Sequence, residues 1–247
     1  MALPVPSDRA RVALAPTGTL RAAINLSNFL LVTDARNPDK PRGVSPEMAK
    51  LLADQLEVDL QMIGYRSPSE IADSAAQDNW DVGNIGNEPA RAQHMAFSPP
   101  YAEIDATYLV PPGSSVSTIA EIDQEGTTIA SAQGAAYTLW LEDNLKSADL
   151  VYGRGLNASF DVFVEKCTDA LAGLRVKLLD DAEKLPGSRV LDGRFTAVQQ
   201  SMGIPRSRDE AGVEYLSRFV TAAITDGHVA ALIKRFRVGA GLTPPAP

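Results

Sequence analysis

Between Leu20 and Gly86 the spacing of apolar residues alternates between two periods, and this alternation restricts the fold more than any bulk property does. Leu20 to Ile24 alternates as a strand. Ser45-Pro46-Glu47 then carries a helix start, with a hydroxyl N-cap, proline at N1 and an acid in the first turn. Met48, Leu51, Leu52 and Leu56 fall on one face of that helix. Val58, Leu60 and Met62 alternate with Asp59 and Gln61, which is strand spacing again. Ser67-Pro68-Ser69-Glu70 is a capping box with proline at N1. A third strand ends around Val82 and Ile85. Strand, helix, strand, helix, strand predicts an α/β chain with a parallel sheet covered by helices.

The end of that third strand is the most informative stretch. Gly83, Asn84 and Gly86 leave its backbone N–H groups accessible, and Asn87-Glu88-Pro89 turns the chain into Arg91. Proline there suits the first turn of a short helix. Open α/β sheets bind ligands outside the carboxyl ends of their strands. A guanidinium fork at that place suits a carboxylate. The same spacing also allows a plain surface pair between Arg91 and Glu88.

A strand, Asp81 and its glycine-containing turn, Arg91, and then Phe97-Ser98-Pro99-Pro100-Tyr101 together resemble the family 3 extracellular solute-binding proteins, the amino-acid receptors of ABC importers. Gly18-Thr19-Leu20-Arg21 is similar to that family's first strand, and Gly43 through Leu56 to its first helix. Gln133-Gly134 resembles the opening of its second lobe. Thr168-Asp169-Ala170 resembles the strand that closes that lobe's site, and Gly203-Ile204-Pro205 the final return strand. The resemblance covers about residues 17 to 237. It implies a two-lobed periplasmic-binding-protein-like fold of type II, with two parallel-rich sheets, helices on both faces, and two hinge crossings. On this reading residues 1–108 and 199–247 form lobe 1 and residues 109–198 form lobe 2.

The resemblance also implies a site. Arg91 clamps a carboxylate, Asn84 and Gly86 offer amide or main-chain contacts, and Tyr65, Asn28 and Phe29 face the ligand from the loops of lobe 1. Tyr65 also reads as a rim tyrosine. In lobe 2, Ala135, Ala136 and Tyr137 follow Gln133-Gly134, and a helix start there favours an anion. Family members carry Ser or Thr where this chain has Ala135 and Ala136, so the hydroxyl contacts are gone. Beyond Gly173 the family has an acid that pairs with the ligand's ammonium; here the residue is Leu174, followed by Arg175. A buried ammonium without a carboxylate is costly. The departure therefore points to a carboxylate lacking an amine, or to a modified amino acid. Arg175 reads either as a second contact to an acidic group or as a solvated charge. Asp169 matches a structural aspartate at a strand start.

The remaining stretches are less specific. Residues 1–16 read as a loose arm with at most a short helix, and Asp34 to Gly43 as a surface loop. Cys167 is the single cysteine, which excludes an internal disulfide, and in its sequence context it reads as a small packed apolar residue. Tyr215, Leu216, Phe219, Val220, Ala223 and Ile224 recur at helical spacing, and a last helix runs from Val229 to Phe236. The tail from Gly239 reads as frayed.

A net charge of −8 argues against nucleic acid or an anionic membrane surface as partner, and no apolar run is long enough for membrane insertion. No cofactor is expected: there is no nucleotide-binding glycine loop, no Ser elbow and no Cys/His cluster for a metal, and His94 and His228 stand apart. The expected partner is a small carboxylate or amino-acid-like ligand, joined by an ABC permease if the protein is exported, with the protein itself a monomer. The amino terminus has no basic region followed by an apolar one, so the sequence as it stands reads as cytoplasmic, and as periplasmic if a leader has been removed. Two alternatives share the fold: a cytoplasmic metabolite sensor, and a lyase like cyclohexadienyl dehydratase with Glu88 or Glu142 as general acid.

Overall fold

The computed structural model describes residues 3–239 and 241–242. Most of the tail expected to fray lies outside these. The chain divides into two compact units, Met1–Glu103 with Gln199–Pro247 and Ile104–Val198. It passes from one unit to the other inside two strands, β5 (Ala102–Val110) and β10 (Thr196–Pro205).

In the first unit, β1 (Thr19–Asn25) lies between β2 (Asp59–Tyr65) and β3 (Val82–Gly86), parallel to both. The returning β10 runs antiparallel to β3 and to the short β4 (Met95–Phe97). Alternation along β1 puts helices on both faces. Ala23 packs with Ile71 and Ala72 of α3 (Pro68–Asp73) and with Trp80, Ile85 and Met95. Ala22 and Ile24 point the other way and pack with Ala49 of α2 (Val44–Leu56). The strand period of two is what allows one strand to serve two helices.

Local chemistry sets the helix starts, with corrections to the sequence expectation. The α2 N-cap is Gly43 and not Ser45. Gly43 sits at φ 152°, and a Cβ there would lie 2.2 Å from the Leu31 carbonyl oxygen. Ser45 is instead drawn inside the first turn, where its N–H donates to that same carbonyl at 3.1 Å. A close backbone approach by the 28–32 turn, which no pattern of residue types announces, decides the start. At α3, Ser67 does accept from the Glu70 N–H at 3.2 Å, but Glu70 reaches back to the Arg66 N–H at 2.9 Å, one residue beyond the usual partner.

The first residues are not a loose arm. Ser7 caps α1 (Asp8–Leu14), whose Ala10, Ala13 and Leu14 are buried. They pack on α8 (Glu210–Thr225), where a Cβ at Gly212 would come within 2.9 Å of the Ala13 Cβ. Short apolar side chains on both helices permit this close crossing. The Tyr215 hydroxyl and the Gln55 amide both donate to the Pro4 carbonyl, at 2.9 and 3.1 Å. The last helix is α9 (His228–Phe236).

In the second unit, β6 (Thr128–Ala132) is parallel to β7 (Asp149–Gly153) and to β8 (Ala170–Leu174). β5 runs antiparallel to β8 and to the short β9 (Arg189–Val190). Leu109, Ala130 and Leu171 pack against Phe163 of α6 (Leu156–Glu165) and Leu178 of α7 (Arg175–Lys184). Ser131 points to the opposite face, where its hydroxyl meets that of Thr138 on α5 (Ala136–Asn144) at 2.7 Å. Asp169 accepts from the Thr128 N–H at 2.8 Å and its hydroxyl at 2.9 Å, tying β8 to β6 as a structural aspartate would. Cys167 is exposed, not packed. It lies beyond the end of α6 at φ 50°, and this left-handed turn swings its side chain outward.

Candidate functional site

Two loops and a strand end of the first unit bring the polar residues together. β3 is buried along its whole length. Val82, Asn84 and Gly86 share the face that carries Ala22 and Ile24, since Ala22 is in register with Val82 and Ile24 with Asn84. On β10, Met202 stands opposite Asn84 and Gln200 opposite Gly86. Asn28, from the turn that follows β1, donates its side-chain amide to the Gln200 side-chain oxygen at 3.5 Å. The Asn87 N–H donates to the Gln199 carbonyl at 2.8 Å, which closes β3 against β10 just before the turn. Asn28, Gly86 and Gln200 therefore converge at the carboxyl end of β3.

Arg91 joins them from α4 (Pro89–Ala92), which begins with proline at its first position. It is 4% exposed, so it is not a surface arginine. Its Nη1 donates to the Gly86 carbonyl at 2.9 Å. Burial works against its charged form and pulls the guanidinium down to about 10; the nearby Glu88 and Asp73 act in the opposite direction. It remains a cation at neutral pH. Glu88 is itself buried, and as the α4 N-cap it makes no side-chain cap bond. Sequence reasoning left Glu88 either as a surface partner of Arg91 or as a candidate general acid; the structure buries it. The signal that marks its burial is the pairing of Asn87 with β10, which draws the turn inward.

Asn84 lies two residues deeper on the same face and is 1% exposed. Neither atom of its side-chain amide has a hydrogen-bond partner among the described residues. An amide so buried ordinarily finds a partner. Tyr65 takes a different side: its ring packs against the cluster of Ala23, Ile71 and Trp80, on the α3 face of the sheet. Phe29 is half-buried in the turn after β1.

In the second unit, Ala135 is the N-cap of α5 and offers no side-chain cap, and Ala136 and Tyr137 form the first turn. The N–H groups of a first helical turn have no partner within the helix. Tyr137 is buried, and burial pushes its hydroxyl well above the ordinary phenol range. Leu174 ends β8 and is 7% exposed. Arg175 is partly covered and committed within its own unit. It donates to the carbonyls of Gly193 and Leu191, the latter at 3.2 Å, and stands 3.9 Å from Asp105. Asp105 also pairs with Arg194 at 2.8 Å.

A different ionic group holds the other end of β3. Asp81 is fully buried and accepts from the Arg21 N–H at 2.9 Å and from the Arg21 and Arg208 guanidinium groups at 2.7 and 2.8 Å. Sequence reading missed this network, because Arg208 comes from a segment remote in the chain.

Among the described residues no helix is long and apolar enough to cross a membrane, and no group of three or more His, Cys, Asp or Glu is arranged to hold a metal ion.

Comparison with known proteins places this architecture. Solved structures of similar fold include an amino-acid ABC transporter substrate-binding protein from Streptococcus pneumoniae bound to L-arginine. It is 18% identical, covers 96% of this chain and 100% of its own, and has a TM-score of 0.70. A binding component of an ABC transporter from Wolinella succinogenes complexed with lysine is 16% identical, covers 89% of this chain and 95% of its own, and has a TM-score of 0.73. The reconstructed ancestral amino-acid-binding protein AncCDT-1, a precursor of cyclohexadienyl dehydratase, is 17% identical, covers 92% of this chain and 99% of its own, and has a TM-score of 0.73. At these identities the likeness is one of fold. No curated protein matches the chain. The model of the bacterial extracellular solute-binding proteins, family 3, matches residues 27–239, most of the length, and the chain belongs to that family.

Proposed function

We propose that this protein binds, without converting it, a small solute bearing a carboxylate or an amino-acid-like head, and that Arg91 is the anion anchor. The observation that carries this is the burial of Arg91 at the carboxyl end of β3, with Nη1 held by the Gly86 carbonyl. A guanidinium taken out of water at a strand end is costly unless anionic groups meet it, and an incoming carboxylate adds one. The Gly86 bond fixes the orientation of the fork before a ligand arrives, which lowers the ordering cost of binding. Asn28 and Gln200 supply neutral amides at the same strand end, and Asn84 supplies a buried amide two residues deeper on β3. Neighbours of this fold with bound arginine and lysine support an amino-acid-like solute. Their place in ABC transporters supports delivery to a permease as the biological role.

The test is a thermal-shift screen with α-amino acids beside the same carbon skeletons lacking the amine. A ligand at about a hundred times its dissociation constant adds roughly 2.7 kcal/mol of stability. Stabilisation by members of the panel, lost in Arg91→Gln, supports the reading. Stabilisation that survives Arg91→Gln removes Arg91 from the site. A lyase in the manner of cyclohexadienyl dehydratase remains the second reading, favoured only by the ancestral neighbour; product formation from a stabilising ligand would replace the binding role with it.

A further inference from the structure

Arg91 does not bring a lone charge to the end of β3. Glu88, three residues before it, is 9% exposed and spends no hydrogen bond on capping α4. Its carboxylate is the larger of the two anionic influences that favour the charged guanidinium against burial, the other being Asp73. Asp73 is exposed and belongs to α3, whereas Glu88 is buried in the same turn as Arg91. The strand end therefore holds one fixed positive and one fixed negative charge, and its other side chains, Asn28 and Gln200, are neutral amides. A ligand with only a carboxylate would leave this group with an excess negative charge next to Glu88. A ligand that carries a cationic group as well leaves it neutral.

Resting on the proposed reading of Arg91 as carboxylate anchor, we infer that Glu88 is the specificity-determining residue that seats the ligand's cationic group, so that both charges of a zwitterionic solute are read by the Glu88–Arg91 turn. Discrimination follows from a penalty as much as an attraction: an amine-free acid meets an unfavourable carboxylate there.

The experiment uses paired probes on the full chain by calorimetric titration and thermal shift: L-leucine with 4-methylpentanoate, L-glutamate with glutarate, and L-arginine with 5-guanidinopentanoate. The expected result is that the wild type binds at least one amino acid ten or more times tighter than its amine-free partner. Glu88→Gln should weaken that amino acid tenfold or more and erase the preference, while Glu88→Asp, which keeps the charge, should retain it. Unliganded melting curves of both variants establish that they are folded. A wild type that prefers the amine-free acids, or a folded Glu88→Gln that keeps the wild-type preference, overturns the assignment and leaves Arg91 as anchor untouched. Unchanged binding of both probe members by Arg91→Gln overturns the anchor reading, and the Glu88 assignment with it. Absence of binding by every probe counts against both.

Discussion

Arg91 donates through Nη1 to the carbonyl oxygen of Gly86 at 2.9 Å, so the residue best placed to hold an anion is braced by the last residue of the strand it follows. The remaining donors of the fork belong to the same buried end of the first unit, with Glu88 as counter-charge.

Arg91→Ala should therefore cost stability as well as ligand. It removes the cation that faces the charge of the buried Glu88 carboxylate, and it removes the Arg91 hydrogen bond to the Gly86 carbonyl. The loss should be about 3 kcal/mol, the scale for breaking a buried pair from one side. Urea unfolding of the unliganded protein measures it. A change below about 0.5 kcal/mol would mean that Glu88 and Arg91 are not energetically coupled.

Acid stability should depend on Asp78. The Arg21 side-chain hydrogen bond, with help from Arg208, holds its carboxylate below the ordinary range. A carboxylate whose folded value lies below its unfolded value stabilises the fold above the unfolded value, about 3.9, and that contribution fades as pH falls through the folded value. Asp78→Asn should accordingly lower stability most above about pH 4, and the gap between the two proteins should narrow as pH falls through the folded value of the carboxylate. Melting temperatures of both proteins across pH 2.5 to 7, in roughly half-unit steps, give the comparison.

Gly43→Ala should destabilise by about 2 kcal/mol or more, since the added methyl would meet the Leu31 carbonyl in a turn that cannot retreat without breaking the Ser45–Leu31 bond. Gly18 is the control. It also has a positive φ, 79°, but nothing lies within 4 Å of the place a methyl would take there, so Gly18→Ala should cost only about 1 kcal/mol. Equal costs at the two sites would refute the close-approach explanation.

Leu14→Ala should cost about 2 to 4 kcal/mol, because Leu14 is fully buried where α1 crosses α8. Equilibrium denaturation decides this. A negligible cost would mean that the packing of α1 on α8 contributes little to the fold.

The alternation of apolar residues from Leu20 to Ile85 was enough to specify parallel strands covered on both faces, because side-chain direction repeats every two residues in a strand and every 3.6 in a helix. The turn before Arg91 was legible for a similar local reason: proline and glycine restrict the backbone wherever they occur. Burial at the site was not legible. By spacing alone Arg91 reads equally as a carboxylate clamp and as a surface partner of Glu88; the Asn87 N–H bonded to Gln199, over a hundred residues away in the chain, belongs to the packing that buries both. Asn28 meets Gln200, and Asp81 gathers Arg21 and Arg208, only because β10 and its sequel return beside β3. Gly43 displaced Ser45 as helix cap because another turn's carbonyl came within contact distance. Local residue chemistry determined which elements form and where they turn. Which charges lose their water, and which of them then pair, was decided by contacts between distant segments, since desolvation is a property of the packed neighbourhood and not of a residue's own sequence context.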